Sequence, residues 1–479
     1  MKHLSALLPV GLALLAATPA LAQNELSNFS ATGRGGVINS FATDYQTLGI
    51  NPANLGREST TKVAFTIGEI GAGVASQTLS NATFKQLVFH ANDPFSSDPT
   101  TANAQRLSLV NSLAGDNTLN VNVDVNALAV AVRLPPGLGS IAVSYRQRFA
   151  THLAFNRDAA DILIRGNNSD IVRKYYDAAG NSNGTPPPKL SAALDGTALQ
   201  MAWTAEYNIG YGVQVFNAPG VFKLTAGAGY RYIQGLGIAD LRISGGSLSA
   251  YSALSPVFQV NYGNLSTNPS FNYEAGRGLQ SVGHGNGFDL GLAAEVGKMF
   301  RFSASVTDLG TMTWTGNVLT ASDQNLRYPQ YTQLNDYNVI QNVINQFGND
   351  KTLFTYDAAK ERKDDLPAKL RLGGSVHLSD KFEVGVDVTA PLNKVAGNLT
   401  SAFVGAGVDF KPTNWVRLST GASTGAGYKA SLPLGVTFVT RIWEVGFSTR
   451  DLTGYFSDKT PYYSAALGFL RFKIGGEKD

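Results

Sequence analysis

Much of the chain alternates apolar and polar residues one by one. In "NVNVDVNA", Val121, Val123, Val125 and Ala127 alternate with Asn120, Asn122, Asp124 and Asn126. "RFSASVT" sets Phe302, Ala304 and Val306 against Arg301, Ser303, Ser305 and Thr307, and "FEVGVDVT" sets Phe382, Val384, Val386 and Val388 against Glu383, Gly385, Asp387 and Thr389. Successive side chains of a strand point to opposite faces, so a period of two predicts strands with one apolar and one polar face. The pattern predicts fourteen strands, at about 61–79, 118–134, 138–155, 197–217, 221–234, 286–297, 300–310, 366–378, 381–390, 399–411, 415–424, 429–440, 442–450 and 461–474. "SPVFQVNYG", from Ser255, is a candidate for one more, protruding past the others.

The connections decide which all-β class this is. Short links at "PPGLG" (135–139), "APG" (218–220), "GKM" (297–299), "LSDK" (378–381) and "KPTN" (411–414) alternate with long ones at about 80–117, 156–196, 235–286 and 311–365. A soluble sandwich would bury its apolar faces and divide into domains of about 100 residues. A membrane barrel turns the apolar face to lipid, with short turns on one side and long loops on the other. The expected fold is therefore all-β, a transmembrane antiparallel β-barrel of about fourteen strands, closed so that no strand edge meets lipid. Both termini fall on the short-turn side, which is periplasmic in the outer membrane of a Gram-negative bacterium. Tyr207, Tyr211, Tyr230, Tyr232, Trp314, Trp415, Trp443, Tyr462 and Tyr463 fall near strand ends, where rings sit at headgroup level.

The first residues carry a different pattern. Lys2 and His3 precede an apolar run ending at Ala20-Leu21-Ala22, which predicts a signal peptide over 1–22 and a mature start at Gln23. The chain has no cysteine, so an exported protein of 479 residues must be held by packing or by an extended sheet. No second apolar run is long enough for a membrane helix. A formal charge of +3 gives no reason to expect nucleic acid as a partner.

With the apolar set facing lipid, the other set faces the lumen. It includes Arg146, Arg148, Glu206, Lys223, Arg231, Asp289, Glu295, Arg301, Lys369, Arg371, Glu383, Asp387, Asp409, Arg417, Glu444 and Arg450. Both signs are interspersed, which fits a wet or plugged interior held by ion pairs. The segment "DYQTLGINPANLG" (44–56) precedes the first strand and is too rich in Gly, Pro and Asn to be one. Its economical place is inside the lumen, where the carboxamides of Asn51 and Asn54 meet a polar wall. Residues 23–60 are thus expected to form a plug and 61–479 the barrel with its long loops.

"NPANLG", after a signal peptide and a Gly-rich stretch, resembles the "NPA" segment of the N-terminal hatch in the long-chain fatty acid transporter (FadL-like) outer-membrane family. "GFDLGLAAEVGKMFRFSASVTDLGTMTWTG" and "LPAKLRLGGSVHLSDKFEVGVDV" look more like an uncharacterised group of related barrel proteins from the Bacteroidota. The resemblance implies a fourteen-stranded barrel with a hatch that admits fatty acids or other hydrophobic molecules. Asn51, Pro52, Ala53 and Asn54 are the residues it assigns to the hatch. Lumen-facing strand positions are mostly Gly, Ser, Thr and charged, so an apolar pocket would have to be built by the hatch and the long loops.

Those loops offer Leu107, Val110 and Leu113 in "AQRLSLVNSLAG" and Ile340, Ile344 and Phe347 in "YNVIQNVINQFG", both at helical spacing. "DILIRGNNSDIVRKYY" is a third such stretch. Two readings compete: an apolar lid that collects a hydrophobic ligand, and self-packing that closes the barrel top. Self-packing is the preferred one.

No catalytic set assembles. "GASTG" (421–425) fits a nucleophile-elbow pattern but lacks the strand-to-helix setting that would activate Ser423. The five His residues show no metal-ligand spacing. The chain is expected to be a non-enzyme without cofactor, a monomer in outer-membrane lipid. Passive uptake of a hydrophobic, fatty-acid-like small molecule is the leading reading. A structural or partner-binding barrel, meeting another protein at its loops in secretion or surface attachment, is the alternative, and a general pore is disfavoured by the plug.

Overall fold

The computed structural model describes residues 28–115, 117–260, 271, 278–339, 354–399 and 401–475. The signal-peptide segment and the loop-helix candidates Ile340, Ile344 and Phe347 lie outside the described residues.

Along the chain the strands are β1 (Val63–Ser76), β2 (Thr118–Arg133), β3 (Ser140–Ala154), β4 (Ala198–Ala218), β5 (Phe222–Ser244), β6 (Ser247–Leu254), β7 (Gly283–Val296), β8 (Phe300–Trp314), β9 (Val318–Ala321) and β10 (Tyr356–Ala358). They continue as β11 (Arg362–Asp365), β12 (Lys369–Ser379), β13 (Phe382–Pro391), β14 (Phe403–Thr413), β15 (Val416–Gly425), β16 (Tyr428–Ser431), β17 (Leu434–Val439), β18 (Trp443–Thr449) and β19 (Tyr462–Ile474). Among the described residues they form one sheet. Fourteen of them close a ring of antiparallel neighbours, β1 to β5, β7, β8, β12 to β15 and β17 to β19. The ring shuts where β19 pairs with β1, with Val63 opposite Ile474 and Ala75 opposite Tyr462.

The two faces separate as the alternation predicts. Ile67, Leu128, Leu292, Phe302, Val386 and Phe447 are each about half exposed on the outside. Arg146, Arg148, Glu206, Arg231, Asp289, Lys369, Arg371, Asp387, Asp409 and Glu444 are buried on the inside. Apolar side chains open to the surroundings around a ring of charge are the inverse of a soluble core, and this is a transmembrane barrel.

The structure departs from the sequence reading at the long-loop end. β5 runs to Ser244, well past residue 234, then turns through Gly245 and Gly246, both at positive φ, into β6. Two consecutive glycines of that conformation make the tight hairpin turn that matches strand twist. Residues 255–260, the described part of the extra-strand candidate, are not a strand: Pro256–Phe258 forms a 3₁₀ turn, since Pro256 brings no N–H to a ladder. β8 continues to Trp314, and β6, β9, β10 and β11 extend the wall beyond the closed ring. Trp314 itself is buried inside, not at headgroup level. The stretch 429–440 is two strands, broken at Pro433.

Above the ring the loops pack on one another. Helices Pro99–Leu113 and Arg157–Arg165 touch, and with Leu190, Leu241, Leu319, Leu326 and Leu334 they share one apolar core. Each helix is started by a side-chain cap, Asp98 accepting from the N–H of Thr101 and Asn156 from that of Ala159.

Candidate functional site

The N-terminal segment lies inside the ring. Its first half is pressed onto wall positions that lack side chains. The Phe29 ring sits against Gly446 and Gly468, residues 34–35 lie against Gly405 and Gly407, and a Cβ on any of these four would overlap the plug. Close approach of two backbones is what glycine permits, so the wall is shaped to its plug. Charge then fixes the register. Arg34 pairs with Asp409 at 2.7 Å, Asp387 accepts from the N–H groups of Ile38 and Asn39 at 2.6 Å each, and Ser448 donates to the carbonyl of Phe29 at 2.6 Å.

The hatch residues named from the sequence dock on the opposite wall. Pro52 opens the 3₁₀ turn Pro52–Gly56, and the Asn51 carboxamide caps it by accepting from the N–H of Ala53 at 3.0 Å. The same carboxamide donates to the carbonyl of Leu292 on β7 at 3.0 Å and leans toward that of Ala304 on β8 at 3.3 Å. Pro52 and Ala53 rest against Gly227, where a Cβ would lie at 2.5 Å or less from their backbone. Asn54 donates to the carbonyl of Asn39 at 2.6 Å, tying the two halves of the plug together. Around these residues Asp44 meets Arg471 at 2.9 Å, Tyr45 donates to Glu69 at 2.7 Å and Arg57 meets Glu295 at 3.0 Å.

Above the plug lies a buried charge cluster centred on Arg231. Arg231 is fully buried and reaches Glu206 at 3.2 Å, Asp289 at 2.8 Å and Asp308 at 2.5 Å. Arg148 pairs with Glu206 at 3.4 Å, Lys369 faces Asp308 at 3.8 Å, and Arg146 forks onto Asp124. Asp308 sits at φ 61°, a left-handed twist in β8 that turns its carboxylate toward Arg231. Such a set is a structural lock, because removing one partner leaves the others buried and uncompensated.

Over this charged floor the lining turns apolar. Ile233 on β5, Met312 and Trp314 on β8, Ile238, Tyr251 and Leu366 enclose a chamber of about 60 Å³, with Arg148, Glu206 and Asp308 beneath. The expectation that hatch and loops alone would build an apolar pocket is corrected here: β5 and β8 supply much of it, and segments 364–367 and 395–397 close it. The alternation of Met312 and Trp314 in "TMTW" was the available signal, hidden because those residues fell in a predicted loop. Tyr251, on β6 beyond the ring, donates to Asp364. Burial, then the charges of Asp240 and Asp364, hold its phenol well above the ordinary value, so it stays neutral.

The loop-helix candidates go elsewhere. Val110 and Leu113 are buried in the core of the cap and Leu107 is half-buried; none of the three lines the chamber. Their neighbours are cap residues such as Leu109 and Ile162. Ser423 shares a hydrogen bond with Ser431 at 2.7 Å on the inner wall, with no helix following it.

A family model described as "Family of unknown function (DUF5723)" matches residues 52–445. No curated protein matches the sequence. Among solved structures the chain is similar to the Pseudomonas putida toluene transporter TodX (10% identity, 96% of this chain and 99% of that one, TM-score 0.40). It is likewise similar to the Ralstonia pickettii toluene transporter TbuX (12%, 93% and 97%, 0.39) and to a Pseudomonas aeruginosa FadL homologue (10%, 95% and 98%, 0.41). The architecture described above stands on the strand pairing of this chain.

Proposed function

The chain belongs to the DUF5723 family, and from that premise and the geometry above we propose that it is a Gram-negative outer-membrane barrel for passive uptake of a hydrophobic small molecule. The observation that carries this reading is the apolar chamber: above the plug, over a floor of charged side chains, six apolar side chains converge. Ligand sites are concave and mostly apolar with a few polar groups that orient the ligand, and Arg148, Glu206 and Asp308 stand in that role. The volume sets a condition. A benzene-sized guest needs roughly 150 Å³, so segments 364–367 and 395–397 have to move back for the chamber of about 60 Å³ to fill. No chemical step is assigned to the protein. It works as a monomer in lipid and selects by shape and burial.

The second reading, a structural or partner-binding barrel, is favoured by the cap, whose helices bury their apolar faces in each other while Phe89 and Phe456 stay exposed on the loops. Mass spectrometry of compounds extracted from the detergent-purified protein separates the two. Enrichment of one apolar species over an unrelated barrel purified identically, broadened to bulkier species in Trp314→Ala, supports uptake. Bulk membrane lipid alone, from both proteins, supports the partner-binding barrel.

A further inference from the structure

Three small cavities are stacked along the inner face of β3. The lowest, about 40 Å³, lies at the short-turn end beside Ser140; the middle one, about 30 Å³, lies beside Ser144 and Arg146; the chamber lies above, beside Arg148. Residues 140 to 148 alternate toward the lumen, so these cavities follow one another up a single strand over roughly 26 Å at about 3.3 Å per residue. Plug residues form the opposite side of the lower two, from Thr43 to Ser59 at the lowest and Asn28, Ile38 and residues between Tyr45 and Ile50 at the middle one.

The linings of the lower two are mixed, with polar groups set among Leu55, Ala64, Ala131 and Val132 below and Ile38, Leu48 and Ile50 above. Asp44, Asn54 and Arg57 face the lowest cavity, and Gln46, Glu69 and Asn126 face the middle one. Several of these groups are buried without a hydrogen-bond partner among the described residues: Nε2 of Gln46, Oδ1 of Asn126 and, in the chamber, Nη2 of Arg148. Buried polar atoms of this kind are satisfied by water where a cavity is polar and holds about one water volume, roughly 30 Å³. Away from β3 the plug is laid directly on wall glycines, Phe29 on Gly446 and Gly468, residues 34–35 on Gly405 and Gly407, and Pro52 and Ala53 on Gly227.

Tyr45 and Leu48, on the lining of the middle cavity, and Leu55, Ala64 and Ala131, on that of the lowest, stand between the two. Tyr45, Leu48 and Leu55 of the plug pack against Ala64, Ala129, Ala131 and Ala142 of β1 to β3, all of them buried. An apolar constriction between two cavities that hold polar groups closes a pore by excluding water. We infer that the three cavities are parts of one seam between plug and wall along β3, and that Tyr45, Leu48 and Leu55 against the wall alanines form its hydrophobic gate. The seam gives small polar solutes and ions a route past a plug that is otherwise fixed, and it goes beyond the uptake reading because it needs no apolar ligand.

The test is ion conductance of the purified full-length barrel in planar bilayers, with assembly of each variant checked by heat-modifiable gel mobility. Leu48→Ser is expected to raise conductance several-fold over the parent, because a polar gate wets. Val37→Ser, on the glycine-packed side where Val37 lies against Gly405, is expected to leave it unchanged. Should Leu48→Ser fail to assemble, Leu55→Ser reads the same gate. Equal conductance of the assembled gate variant and the parent overturns the inference. Equal leakage through Val37→Ser also overturns it, since the leak would then come from a loosened plug. Either result leaves the uptake reading to its own experiment.

Discussion

Arg231 shows how much of the interior depends on single residues. Its guanidinium serves Glu206, Asp289 and Asp308 from a position 1% exposed. Arg231→Met leaves three carboxylates facing one another, at a cost of about 3–5 kcal/mol. The variant should lose heat-modifiable mobility at a markedly lower temperature than the parent, and Asp308→Asn added to it should recover part of the loss. Recovery, which a merely additive effect would not give, measures the coupling. Asn51 offers a second case. Asn51→Ala removes the cap on Ala53 and the bond to the Leu292 carbonyl, costing about 1–3 kcal/mol. Hydrogen exchange should then quicken over residues 44–57 while β7 stays protected. The sequence placed Arg231, Glu206 and Asp289 on the lumen face because a period of two assigns faces. It could not pair them, since pairing depends on register between strands far apart in the chain, and the twist at Asp308 leaves no mark on the alternation.

At the scale of elements, the ring strands were legible because each carries a lipid face, which forces strict alternation. β6, β9, β10 and β11 stand beyond the ring, have no such face and were read as loop. The hairpin turn at Gly245-Gly246 was nonetheless visible in "SGGS". The cap helices were legible in part. Val110 and Leu113 are core as helical spacing predicts, while Leu109 is buried and Leu107 only half so, because the contact face follows the partner helix as well as the period. Ile162→Ala, in the contact between Pro99–Leu113 and Arg157–Arg165, should weaken the cap by about 2–5 kcal/mol. Limited proteolysis should then cut within 80–117 and 156–196 faster, with the ring strands still protected. Equal cutting of parent and variant would show that these helices do not hold the cap.

For the whole molecule, the plug, the chamber and the cap divide the lumen into layers with different chemistry. The plug is bound to the wall through buried charge and glycine contact, the cap is bound to itself, and the chamber between them is the one apolar space described above the plug. Enlarging it should change what the barrel admits: Trp314→Ala is expected to extend the accepted solutes to bulkier ones without loss of assembly. The account is tested most directly by uptake of a panel of radiolabelled apolar solutes into Gram-negative cells that carry this barrel in their outer membrane, compared with cells carrying an unrelated closed barrel. Faster accumulation of particular apolar solutes, shifted toward larger ones by Trp314→Ala, is the predicted result. Accumulation no faster than with the unrelated barrel across the panel, from cells in which the protein is assembled, would contradict it.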